Sequence, residues 1–120
     1  MPKRPTLVYE TSLDDRHKAV VCQLKGKLIG RAATFDCLEE LRDDLSDGYR
    51  HLVLELGGLT LVNSTGVGVL AALYTSTHNK GGRLVLVGVE EYLQRILEVV
   101  QIWNMVDKAD SIGAALAGLP

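Results

Sequence analysis

Apolar positions in this chain recur at two spacings, one strand-like and one helical, and the switches between them divide it into short segments. Thr6 to Tyr9 and Ala19 to Leu24 are strand-like runs on either side of Ser12-Leu13-Asp14-Asp15-Arg16, a polar stretch that reads as a turn or hairpin connection. Gly26 and Gly30 punctuate the exit from the second run. From Ala33 to Asp47 the residues Phe35, Leu38, Leu41 and Leu45 fall at helical spacing, with Thr34 placed to cap and Asp47-Gly48 to stop. This predicts a surface helix with one buried stripe.

His51 to Leu56 is again strand-like, and Gly57-Gly58 is expected to loosen the chain before Leu59 to Val62 lead to a helix that begins near Ser64. Val67, Leu70, Ala71 and Tyr74 share a face of that helix, which closes at Asn79-Lys80-Gly81-Gly82. Arg83 to Val87 is a continuous apolar strand after its first residue. Leu93, Ile96, Leu97 and Val100 then form a third helical stripe behind the acidic start Glu90-Glu91. Trp103 to Val106 stands where a further short strand fits, with Trp103 and Met105 assigned to the core. Asp110 or Ser111 caps a last helix carrying Ile112, Ala115, Leu116 and Leu119. The order is ββαβαβα(β)α, an α/β domain with a mixed, mostly parallel sheet of four to five strands and about four helices. Partners of such sheets gather at the carboxyl ends of the strands, the edge on which Ser64 is expected.

Composition narrows the classes without adding an element. With 120 residues, 47% of them hydrophobic, the chain 1–120 reads as one domain with enough apolar material for a core. Its net charge of −2 comes from interleaved acids and bases, so it lacks the basic footprint that phosphate backbones require and nucleic acid is not expected. Cys22 and Cys37 have neither C-x-x-C nor metal-ligand spacing and are read as reduced, partly buried thiols. Met1-Pro2-Lys3-Arg4-Pro5 is followed by no signal-type apolar run, and no stretch approaches the ~18 apolar residues of a membrane span. A cytoplasmic protein without membrane insertion is the expectation.

Catalytic patterns are absent. Ser64 lacks a nucleophile elbow because position 62 is Val, although Gly66 is present, and His17, His51 and His78 have no local relation to it. Gly57-Gly58 and Gly66-Val67-Gly68 match neither the Walker A loop nor the dinucleotide fingerprint. The carboxylate pairs Asp14-Asp15, Glu39-Glu40, Asp43-Asp44 and Glu90-Glu91 fall on turns, helix starts or solvated faces. No catalytic residue, cofactor or metal site is read from the chain. Asn63-Ser64-Thr65-Gly66, taken alone, is a helix cap at a place where an anion would also be tolerated.

As a longer pattern, Leu52 through Leu70, with Glu55-Leu56-Gly57-Gly58 and Val62-Asn63-Ser64-Thr65-Gly66 inside it, resembles the core signature of the STAS domain, shared by bacterial anti-sigma factor antagonists and sulfate transporter tails. Gly26-Lys27-Leu28 resembles the family's second-strand exit "G-x-L-D", and Gly81 to Val87 its "G-G-x-L-x-L" strand, so the resemblance spans nearly the whole chain. A stand-alone domain resembles the antagonists more than the transporter tails. The resemblance implies a substrate and binding partner of a serine kinase that doubles as an anti-sigma factor, not an enzyme. It places the phosphorylated residue at Ser64, with Thr65 as second choice, and partner contacts at Lys27, Arg31, Asn63, Ser64, Thr65, Gly66 and Val67.

Three positions depart from the family pattern. Asn63 and Ile29 stand where aspartates are usual, and Glu55 replaces an Asp at the end of the third strand. Asn keeps the capping geometry of Asp without its charge. Together with Lys25, Lys27 and Arg31 this predicts a more positive surface around Ser64 than an antagonist usually carries. The departures keep open an alternative, a STAS scaffold or accessory subunit of a signalling or ABC transport complex that is never phosphorylated. A small-ligand binder using the helix start is the third reading.

Overall fold

In the computed structural model, which describes residues 6–120, the first two apolar runs form an antiparallel hairpin of β1 (Leu7–Asp14) and β2 (Ala19–Leu28). The N-terminal stretch read as lacking a leader lies outside the described residues. β1 runs five residues beyond the expected end at Tyr9, and Ser12, Leu13 and Asp14 pair with Val21, Val20 and Ala19 instead of turning. The cause is position at the sheet edge: Leu7, Tyr9 and Thr11 point toward the covered face, while Val8, Glu10 and Ser12 alternate outward, where polar residues cost nothing. The turn contracts to the residues between the strands, held by the His17 N–H donating to Asp14 Oδ1 at 2.9 Å.

Helix α1 (Ala32–Ser46) follows, with Arg31 at its N-cap and no side-chain cap. Thr34 does not cap. It is buried, and the face turned to the sheet is Thr34, Cys37, Leu41 and Leu45 in place of the expected Phe35-Leu38-Leu41-Leu45 stripe. At 3.6 residues per turn Thr34 falls within about 20° of Leu41 and Phe35 about 120° from it, which leaves Leu38 partly buried and Phe35 49% exposed.

β3 is a single strand, His51–Val62, and passes through Gly57-Gly58 without breaking. Helix α2 (Ser64–Asn79), β4 (Leu84–Val87), α3 (Glu91–Val99), β5 (Asp107–Ala109) and α4 (Ile112–Ala117) complete the order. The last strand lies after Trp103–Val106, not on it, pairing Val85 with Asp107, Leu86 with Lys108 and Val87 with Ala109. Residues 100–105 turn instead, with Gln101 at positive φ and the Met105 N–H donating to the Ile102 carbonyl. The Lys108 ammonium donates to the Trp103 and Val106 carbonyls and lies 4.6 Å from the Trp103 ring centre. Trp103 packs partly against the core, but Met105 is 51% exposed, contrary to its assignment inside. At the last helix the cap is Ser111, whose Oγ accepts from the Ala114 N–H at 3.0 Å.

The strands lie in chain order, β1-β2-β3-β4-β5, with every neighbouring pair parallel except β1 with β2. Right-handed crossovers through a sheet in sequential order carry their helices to one face. That face holds the main core, built from Val20, Cys22 and Leu24 of β2, Leu52, Leu54 and Leu56 of β3, Leu84 and Leu86 of β4, and the inward residues of the crossover helices. The opposite face has a smaller cluster of Ala19, Val21, Val53, Val85 and Val87 under Ala115 and Leu119. Cys22 and Cys37 are buried and unbonded, more deeply than expected. The Cys37 thiol, and after it burial, pushes the Cys22 thiol up, which keeps it protonated and unreactive.

Candidate functional site

The site grows out of an irregular ladder. β2 and β3 run in register from Ala19↔His51 to Gln23↔Glu55, then shift twice, between Gln23 and Lys25 and between Gly26 and Lys27, so that Leu28 meets Val62. Each shift adds a residue on β3, a bulge that bends the strand and frees backbone groups. Glu55 answers one of them, its Oε1 accepting from the Gly57 N–H at 2.8 Å. Gly57 and Gly58 therefore absorb the first bulge inside a strand, Thr60 is the extra residue of the second, and the exit of β3 is aligned with the exit of β2.

Helix α2 begins at that exit. Asn63 is extended, its side-chain oxygen accepts from the Gly66 N–H at 3.0 Å, and its carbonyl accepts from Val67 at 2.9 Å. Ser64 is exposed at the first helical position, and Thr65 is half-buried. Gly66 is buried because the helix start lies on the β2 exit: a Cβ there would collide with the Leu28 carbonyl and stand 2.9 Å from Val62 Cγ1. Only glycine permits this approach.

The loop before α1 joins the same edge. A Cβ on Gly30 would lie 3.5 Å from the Thr65 hydroxyl, so the loop carrying Ile29, Gly30 and Arg31 runs beside the first turn of α2. Lys27 pairs in register with Leu61, and Lys25, Lys27 and Arg31 are exposed. Ion pairs among the described residues lie elsewhere, at His17–Asp14, Lys18–Asp15, Arg83–Asp107 and Arg95–Glu91. The first turn of α2 contains no acidic residue. The structure thus gathers Asn63, Ser64 and Thr65 with the loop that carries Arg31, while Gly66 and most of Val67 support them from beneath; Lys27, next to the core residue Leu28 in β2, points to the other face of the sheet.

An unanticipated part of the surface comes from α3. Leu93 and Leu97 are its buried residues, whereas Ile96 is half-buried and Val100, placed by spacing in the buried stripe, is 46% exposed. Val62, Asn63, Ser64, Val67, Ile96 and Val100 line an open, mostly apolar groove of about 310 Å³. The sequence signal was an excess: Ile96, Val99 and Val100 supply more apolar residues than one inward stripe uses.

None of the histidines serves Ser64. His17 and His51 lie at the amino ends of the parallel strands, the far end of the sheet, and His78 stacks on Tyr74 at the other end of α2, with ring centres 5.5 Å apart. Among the described residues no group of three or more His, Cys, Asp or Glu is arranged to hold a metal, and no helix is long and apolar enough to cross a membrane.

Fold and site together define a small α/β domain that presents a polar helix start on the carboxyl edge of its sheet. The chain belongs to the STAS domain family, whose model matches residues 11–115. A Thermotoga neapolitana protein described as an anti-sigma factor antagonist is 29% identical over 72 residues, covering 60% of this chain and 64% of that protein, just under two thirds of its length. The crystal structure of a Thermotoga maritima protein, described in the same way, superposes with a TM-score of 0.76 at 23% identity, covering 92% of this chain and 93% of that one. The Bacillus cell fate determinant SpoIIAA in its phosphorylated form superposes with a TM-score of 0.67 at 16% identity, covering 92% and 97%. At these identities the superpositions establish the shared fold.

Proposed function

We propose that this chain is an anti-sigma factor antagonist that binds a serine kinase/anti-sigma factor by partner switching and is regulated by phosphorylation at Ser64, with Thr65 as second choice. The carrying observation is an exposed serine hydroxyl at the first position of α2, on a helix start already capped by Asn63 and braced by Gly66. In this role the protein is a substrate and binding partner in the cytoplasm, not a catalyst. The relatives described as antagonists support the reading.

A phosphate adds about −1.5 to −2 charges and three acceptor oxygens. The helix dipole and free N–H groups make it tolerable to the fold. In a docked interface the same group must lose water, and an uncompensated charge costs several kcal/mol, each ~1.4 being tenfold in affinity. Modification at one atom thus releases a partner while the fold persists. The alternative is an unphosphorylated STAS scaffold or accessory subunit of a signalling or ABC transport complex, favoured by Asn63 and Ile29 standing where the family has aspartates.

Ser64→Ala and Ser64→Glu separate the two. Partner switching expects alanine to bind the kinase constitutively, glutamate to bind at least tenfold more weakly, and intact-mass analysis after incubation with kinase and ATP to show one added phosphate, lost in Ser64→Ala. Equal binding by both variants and no added mass would leave the scaffold.

A further inference from the structure

The sheet leaves one long edge open. β1 is its outermost strand, pairs with β2 through eight successive residues without a bulge, and contains no proline, lysine or arginine. Among the described residues no group outside β2 hydrogen-bonds to the backbone of Leu7–Asp14. Val8 and Leu13 on this strand are 52% and 51% exposed. A regular edge of this length, without the usual guards, is a template for one more strand. An acidic flank of α1 overlooks it. Asp36, Glu40, Asp43 and Asp44 fall within about 100° of one another around the helix, next to the buried Cys37, and Asp47 is the C-cap. Among the described residues the ion pairs include none of these five. Tyr9 ties the flank to β1: its hydroxyl donates to Glu40, and burial, followed by Glu40 and then Asp36, pushes that hydroxyl up to about 12. The fold itself gains nothing from the arrangement. Acids four residues apart repel, and Asp43, Asp44 and Asp47 sit at the negative end of the helix dipole with no base in the last turn. Burial, and then Glu40, Asp47 and Asp43, push the Asp44 carboxyl up.

We propose that the β1 edge takes up an extended, basic segment of a partner protein as a sixth strand, its alternate lysine or arginine side chains directed at Asp36, Glu40 and Asp44 of α1. This surface is separate from Ser64 and goes beyond the partner-switching reading. The open edge supplies main-chain hydrogen bonds, and the alternation of a strand sends every second side chain of the segment to the face on which Tyr9, Leu13 and α1 lie. Charge complementarity selects the occupant. A second copy of this chain fits poorly, because antiparallel pairing of two β1 strands about a two-fold axis puts both α1 helices on the same face, acidic flank toward acidic flank. A basic segment relieves the same repulsion instead of doubling it.

The test uses the full chain and a labelled synthetic peptide in which lysine alternates with valine. By fluorescence anisotropy at low salt it is expected to bind at least tenfold more tightly than the same peptide with glutamate for lysine. Two N-methylated forms, one methylated on the lysine amides and the other on the valine amides, keep the charge and remove alternate backbone donors. One should lose at least tenfold and the other bind as the unmethylated peptide does, since only one edge of an added strand faces β1. Amide hydrogen exchange in Leu7–Asp14 should slow on binding. An Asp36→Asn/Glu40→Gln/Asp44→Asn chain should lose at least tenfold in affinity with an unchanged circular dichroism spectrum, while Glu90→Gln/Glu98→Gln binds as the parent does. Equal binding of the glutamate peptide, equal binding of both methylated forms, slowed exchange only in other strands, or a triple variant that binds normally would overturn the proposal. So would a dimer in sedimentation whose β1 amides are already protected without peptide. Ser64 takes no part in this binding, so the outcome is independent of whether a kinase modifies it.

Discussion

Asn63 does the structural work of an aspartate without its charge. Its side-chain oxygen holds the Gly66 N–H, and an aspartate would accept the same bond. Asn63→Asp is therefore expected to change unfolding free energy by no more than about 1 kcal/mol, since both residues cap well and the dipole adds only a small term. Its effect on recognition should be larger. If the missing negative charge weakens the kinase complex, Asn63→Asp raises kinase affinity or the phosphorylation rate at least tenfold; unchanged binding and unchanged rate would show that the charge is dispensable. Ser64, Asn63 and Thr65 were legible as candidates because capping depends on a few consecutive residues. Met105 and Val100 were not, because a residue's inward or outward direction at the end of an element depends on where the chain turns.

Among the elements, α2 shows how one glycine aligns a functional segment. Gly66 and Gly68 both sit in the helix, but a Cβ at Gly66 collides with the Leu28 carbonyl, while one at Gly68 meets nothing within 4 Å. Gly66→Ala is expected to cost about 2 kcal/mol or more through forced movement of the β2 exit. Gly68→Ala should be neutral or stabilising by up to ~1 kcal/mol, because it removes only helical glycine's entropic penalty. Urea unfolding of the two variants checks the contrast; equal effects would refute the docking of α2 on β2 as the reason for Gly66. Element type was readable nearly everywhere, since spacing of two or of three and four is local. Extents were not: β1 lengthened because β2 offered partners for Ser12 to Asp14, and β3 passed through two glycines because a bulge uses them.

At the scale of the molecule, the amino ends of the parallel strands carry a buried histidine. Burial, and then the Arg50 and Arg83 cations, hold the His51 imidazole below its usual range, and its Nδ1 accepts from the Arg83 N–H at 3.0 Å. The unfolded chain takes up that proton near the ordinary value of ~6.5, the native chain only at lower pH. Its contribution is complete above that range and is lost as pH falls through ~6.5 toward the native value. His51→Asn keeps an acceptor near the Arg83 N–H and cannot titrate there, so between about pH 7.5 and 5 it should lose less unfolding free energy than the parent. An identical slope in urea unfolding would remove His51 from the acid response. The chain by itself determined the order of elements, the helix start at Ser64 and the family to which the pattern belongs, because periodicity, capping and contiguous motifs are properties of neighbours. Tertiary structure alone decided that the α1 loop brings Gly30 beside Thr65, that β2 and β3 slip to align their exits, and that α3 lends Ile96 and Val100 to the wall beside Ser64. Those relations join residues tens of positions apart, and they are set by which faces compete successfully for the core.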